Sequence, residues 1–96
     1  MTHYSNTHYQ QLEELLIKVL DLLVSSLSSE ERQEITEFID AGEYGVALEG
    51  LCSLLVEEHK TISEDAFKEI QKLANRMKLE HTIITSDLRD CVQRAT

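Results

Sequence analysis

Glu37-Phe38-Ile39-Asp40-Ala41-Gly42-Glu43-Tyr44-Gly45-Val46-Ala47-Leu48-Glu49-Gly50-Leu51-Cys52-Ser53-Leu54-Leu55 contains the end of one helix, a stop and the start of the next. Ile35, Phe38 and Ile39 repeat at helical spacing and face inward, and the pattern ends at about Asp40. Gly42 stands where a terminating residue must turn left-handed, a conformation glycine adopts without steric cost. A second apolar stripe then begins: Tyr44, Ala47, Leu48, Leu51, Leu54 and Leu55, with Cys52 at its border and Val46, Glu49, Ser53 and Glu57 opposite. Two helices joined by two or three residues must fold back on each other, which sets an antiparallel arrangement.

Upstream, Ser28 with Glu31 three residues on matches a capping box and starts the helix that ends near Asp40. Ser25 to Ser29 is a joint. Before it, a helix over about Thr7–Ser25 carries Leu12, Leu15, Leu16, Val19, Leu20, Leu22 and Leu23, leaving a polar strip of only Glu14, Lys18 and Asp21. A stripe that wide suits a central helix packed on two neighbours, or one that keeps part of its face for an oligomer. Downstream, the third helix runs from about Glu43 to Glu58, where His59 to Ile62 form a joint. Ser63 then caps a fourth helix that reaches about Lys78 and buries Ala66, Phe67, Ile70, Leu73, Ala74 and Met77. Glu80 to Ile84 reads as a loop or short extended piece, and a short helix from about Ser86 carries Leu88, Cys91 and Val92. The chain has no proline and three glycines, which favours long helices with short joints. The expectation is a single all-α domain over residues 1–96, an antiparallel bundle of four to five helices, with residues 1–6 flexible. Gly45 and Gly50 each cost about 1 kcal/mol of helix propensity relative to alanine. Close approach to a neighbouring helix or to a partner is the expected compensation.

The charge is segregated. Residues 1–59 hold twelve acids against Lys18 and Arg32, whereas residues 60–96 hold six acids against seven bases. An acidic field of this kind repels phosphate backbones and attracts basic proteins, so direct nucleic acid binding is not expected. A solvated surface kept for solubility is the alternative, but solubility does not require clustering. Glu30 and Glu31 suit the positive start of their helix. Glu37 and Asp40 sit towards its negative end, where local stability disfavours them. The fourth helix, by contrast, presents Lys68, Lys72, Arg76 and Lys78 outward.

No catalytic or cofactor pattern emerges. Asp40 to Gly45 resembles the opening of a calcium loop, but Gly42, Tyr44 and Leu51 occupy its third, fifth and twelfth positions, so calcium is not expected. His3, His8, His59 and His81 have no zinc spacing, and no phosphate-cradling loop or nucleophile elbow is present. Cys52 and Cys91 lie in apolar rows as small core residues, consistent with a reducing cytoplasm. No run of about 18 apolar residues could span a membrane. The expectations are a non-enzyme, with no metal and no cofactor.

The stretch from Glu37 to Leu55 resembles the central signature of MafI-type immunity proteins of bacterial polymorphic and contact-dependent toxin systems. The acidic helix, the Asp-x-Gly-Glu-Tyr-Gly joint (Asp40 to Gly45) and the Ala47-Leu48-Glu49 helix follow in the same order, and the helix start at Ile62-Ser63-Glu64 also fits. The resemblance covers about residues 30–70. It implies a cytoplasmic protein that binds and neutralises the C-terminal domain of a cognate toxin, here an EndoU-like RNA-cleaving domain. Position and charge nominate Glu34, Glu37, Asp40 and Glu43 for that contact, with Glu49 and Glu57 behind them. Tyr44 is divided between core and interface, because its helical position points inward while its hydroxyl can reach the surface. The competing expectation is a regulatory adaptor or self-associating scaffold, a homodimer built on the apolar first helix.

Overall fold

The computed structural model describes residues 3–93, with side chains from His8 onward. The order is α1 (His3–Leu22), α2 (Ser29–Asp40), α3 (Tyr44–Glu57), α4 (Glu64–Arg76), α5 (Glu80–Ile83) and α6 (Ser86–Asp90). Among the described residues all the regular elements are helices, as the sequence predicts. α1 begins at His3, four residues before the expected start. Of residues 1–6, expected to be flexible, 1 and 2 lie outside the described residues, whereas 3–6 form the first turn of α1.

α2 packs on α3, and α4 lies along α1, which also touches α2 and α3 and so occupies the centre. Leu12, Leu16, Val19 and Leu20 of that helix, and Leu23 just after it, meet Ile35, Ile39, Leu48, Leu51, Leu55, Ile70 and Leu73 in one core. Among the described residues no polar or charged residue is buried, so the core is purely apolar. Burying each such aliphatic side chain contributes about 1.5–3 kcal/mol. The wide stripe of α1 is not wholly consumed, because Leu22, counted inward from the sequence, is 39% exposed and Ile17 and Val24 are also exposed.

The joints are built on local hydrogen bonds. At the start of α2 the capping box is complete: the Glu31 N–H donates to Ser28 Oγ (3.1 Å) and the Ser28 N–H donates to Glu31 Oε1 (2.9 Å). At its end the Glu43 N–H donates to the Phe38 carbonyl and the Gly42 N–H to that of Ile39, with Gly42 at φ +78°. This paired pattern is a Schellman stop. The same pattern closes α3 and α4, where the left-handed residues are His59 (φ +52°) and Lys78 (φ +59°). The glycines inside α3 do not mark close approach between helices. A Cβ at Gly45 or Gly50 would lie 3.7 Å from Leu79 Cδ1 or 3.8 Å from Ile35 Cδ1, ordinary contact distances.

Glu80 to Ile84 departs from the expected loop or extended piece, since Glu80–Ile83 form one helical turn. Thr82, Ile83 and Ile84 favour strand locally, but burial of Ile83 in the core fixes the turn. Extended pairing occurs elsewhere: Ile62 bridges in parallel to Val92, through bonds from Ile62 N–H to the Cys91 carbonyl and from Gln93 N–H to the Ile62 carbonyl. Ser26 Oγ donates to the Thr61 carbonyl (2.7 Å), and Lys60 pairs with Glu31 (3.1 Å). One end of the bundle is thus tied by the α1–α2 joint, the α3–α4 joint and the segment after α6. No described helix is long and apolar enough to cross a membrane.

Candidate acidic interface on α2 and α3

The Schellman stop at Gly42 sets the spatial order of the acids. It turns the chain so that α3 packs back on α2. Glu34, Glu37 and Asp40 are exposed on α2, Glu43 is exposed as the N-cap residue of α3, and Glu49 and Glu57 are exposed on its outer face. Glu43 makes no side-chain capping bond. Among the described residues none of these six carboxylates takes part in an ion pair or a side-chain hydrogen bond. The acids that are paired lie elsewhere: Glu31 on Lys60, and Glu69 on both Lys18 (3.4 Å) and Lys72 (3.6 Å).

Tyr44 belongs partly to each of its two expected environments. Its ring is half-buried against the core and 6.1 Å from that of Tyr9, while its hydroxyl donates to Glu13 Oε1 at 3.1 Å. Burial first, then the Glu13 carboxylate, raises the Tyr44 pKa above its usual 10.0. Tyr44 therefore holds α3 to α1 at the edge of the acidic face. Glu13 joins the site through this bond, 31 residues away in sequence, so no local pattern could have nominated it.

Glu49 and Glu57 also line an open groove of about 390 Å³ between α3 and the α5–α6 segment, together with Cys52, Ser53, Val56, Thr82, Ile83, Thr85 and Asp87. Asp87 was not expected in the site. Packing of α6 on α3 brings it there, and its only sequence signal is its place in the first turn of a helix capped by Thr85, whose Oγ1 accepts from the Leu88 N–H. Glu34, Glu37, Asp40 and Glu43 lie outside that groove. The predicted acids thus occupy two adjoining areas, the α2 face with its joint and the α3–α6 seam.

Neither thiol is poised as a nucleophile. Burial pushes Cys52 up to about 12, and nearby Cys91 adds to the shift. Cys91 is also raised, first by burial and then by Asp90 and Asp87, and its Sγ–H lies within 3.6 Å of the Leu55 carbonyl. Among the described residues no group of three or more His, Cys, Asp or Glu side chains could hold a metal ion. The basic face of α4 is partly engaged, with Lys72 on Glu69 and Arg76 Nη1 donating to Gln11 Oε1 (3.0 Å). Comparison with family models, curated proteins and solved structures found no match to the chain.

Proposed function

We propose that this protein is an immunity protein that binds a cognate bacterial nuclease toxin domain, an EndoU-like ribonuclease, in the cytoplasm and silences it through its acidic helical surface. The observation that carries the reading is the set of six exposed carboxylates on α2 and α3, none of them engaged within the described part of the chain. Unpaired acids close together repel each other and raise the local negative potential, and a basic partner relieves both. A nuclease site is basic because it must hold phosphate, so carboxylates on a rigid helix pair can approach it as substrate does. Charge attraction would also speed capture. The joint from Asp40 to Gly45, with its resemblance to the immunity signature, supplies the partner class.

The deciding experiment is co-expression with the domain encoded immediately upstream. The expected result is a stable complex in which a basic, RNA-cleaving partner is inactive. Joint reversal of Glu37 and Asp40 to lysine should then reduce protection of toxin-exposed cells while the fold persists. Full protection by that double variant would remove the α2 acids from the mechanism. A second reading, self-association through α1 and the turn after it, draws on the exposure of Tyr9, Ile17, Leu22 and Val24. Light scattering tests this second reading: a monomer rejects the scaffold, and a tight dimer burying those residues supports it without excluding immunity.

A further inference from the structure

The groove between α3 and the α5–α6 segment has a floor of Cys52, Val56 and Ile83, and a rim that carries Glu49, Glu57 and Asp87 with the hydroxyls of Ser53, Thr82 and Thr85. It continues into a second hollow of about 390 Å³ that shares Val56 and Asp87 and adds Asp90. Lys60, which also lines that hollow, is already paired with Glu31. Glu49, Glu57, Asp87 and Asp90 have no ion-pair partner among the described residues. An apolar floor under a carboxylate rim complements one kind of side chain, a long aliphatic stem with a cationic head.

We propose that this seam is the docking groove for an extended, arginine-bearing segment of the protein's partner. The inference rests on the reading of the acidic face as a partner surface and moves the anchoring contacts from α2 to the α3–α6 seam. From Glu49 to Glu57, α3 rises about 12 Å at 1.5 Å per residue, which matches about four residues of extended chain. Guanidinium groups fit the rim better than ammonium groups, because carboxylates and neighbouring hydroxyls can accept several of their fixed donors at once. The α2 acids then act at longer range, steering the basic partner without gripping it.

The test uses the whole protein and a defined probe, the peptide acetyl-Arg-Ala-Arg-Ala-amide, followed by amide chemical shifts with the glutamate analogue as control. Shifts should gather at Ser53, Val56, Thr82, Thr85 and Asp87. The isosteric triple variant Glu49→Gln, Glu57→Gln, Asp87→Asn should bind about tenfold more weakly, the loss expected from three modest exposed charge pairs. The matching α2 variant Glu34→Gln, Glu37→Gln, Asp40→Asn should stay within about twofold of wild type. Shifts centred on residues 34–43, equal losses in the two triple variants, or no response to the arginine peptide would each overturn the groove. The two proposals fail separately. Peptide binding in the seam without capture of the upstream-encoded domain removes the immunity reading alone, whereas undiminished capture by the seam variant removes the groove alone.

Discussion

The hydroxyl of Tyr44, at the first turn of α3, donates a 3.1 Å hydrogen bond to the Glu13 carboxylate in the middle of α1. The bond fixes the corner at which the acidic joint leaves α2, and it fixes the state in which Tyr44 is neutral. Because the folded pKa of Tyr44 lies above its usual 10.0, the associated stability is complete below pH 10 and is lost as pH rises through the higher folded value. Tyr44→Phe should cost about 1 kcal/mol in urea denaturation at neutral pH and should flatten the alkaline end of the stability profile. An unchanged profile would mean that the bond contributes nothing.

Glu31 governs the opposite end of the pH range. The Ser28 backbone N–H, and after it Lys60, hold its carboxyl below the usual 4.5. That contribution is present above pH 4.5 and fades as pH falls through the folded value. Glu31→Gln should make stability less steep below pH 4.5. Ser28→Ala removes the other half of the capping box and should cost about 1 kcal/mol at every pH. Parallel wild-type and Glu31→Gln profiles would separate Glu31 from the acid response.

Much of the bundle was legible because its signals are local. Ser28 and Glu31, Ser63 and Gly42 are short-range devices, and each forms the cap or stop that its spacing predicts. What escaped depends on residues far apart in sequence or on tertiary override. His59 and Lys78 give no glycine signal, yet they terminate α3 and α4 in the left-handed conformation. Ile83 is drawn into a helical turn by the core against its own propensity. Asp87 reaches the α3 seam only through α6 packing, and the Ile62–Val92 bridge pairs two residues on opposite sides of α4, α5 and α6. In the candidate site, the exposure of every nominated acid followed from helical phase. Their division between the α2 face and the groove did not.

The backbone at these stops gives opposite expectations for similar-looking substitutions. His59→Gly and Lys78→Gly relieve left-handed strain and should each stabilise by about 0.5–1 kcal/mol, while Gly42→Ala should destabilise by about 1 kcal/mol. Gly50→Ala adds a Cβ at 3.8 Å from Ile35 Cδ1 and should stabilise by about 0.5–1 kcal/mol. Thermal melts of the four variants check the signs together. Destabilisation by Gly50→Ala would indicate that α3 cannot absorb the added methyl against α2.

The thiols should respond according to burial. With Cys52 held near 12, almost none of it is thiolate at pH 8, so alkylation by iodoacetamide should be far slower than in the urea-unfolded chain. Cys91, raised less and half-buried, should be modified first. Mass spectrometry over a time course orders the two sites. Faster labelling of Cys52 would mean that the α3–α6 seam opens readily.

Glu37 and Asp40 separate a binding surface from a merely soluble one by thermodynamics. Both sit in the last turn of α2, which has no basic residue there and no ion pair to either acid among the described residues. Carboxylates at the negative end of a helix oppose its dipole, and neutralising each should stabilise the fold by about 0.3–1 kcal/mol at low salt. Glu37→Gln with Asp40→Asn is therefore expected to raise the denaturation midpoint, with the gain shrinking as ionic strength increases. If the double variant is more stable and remains as soluble as wild type, these acids serve neither folding nor solubility, which leaves partner recognition as their use. If it is less stable, an interaction within the chain accounts for them, and the case for an acidic docking face on α2 falls.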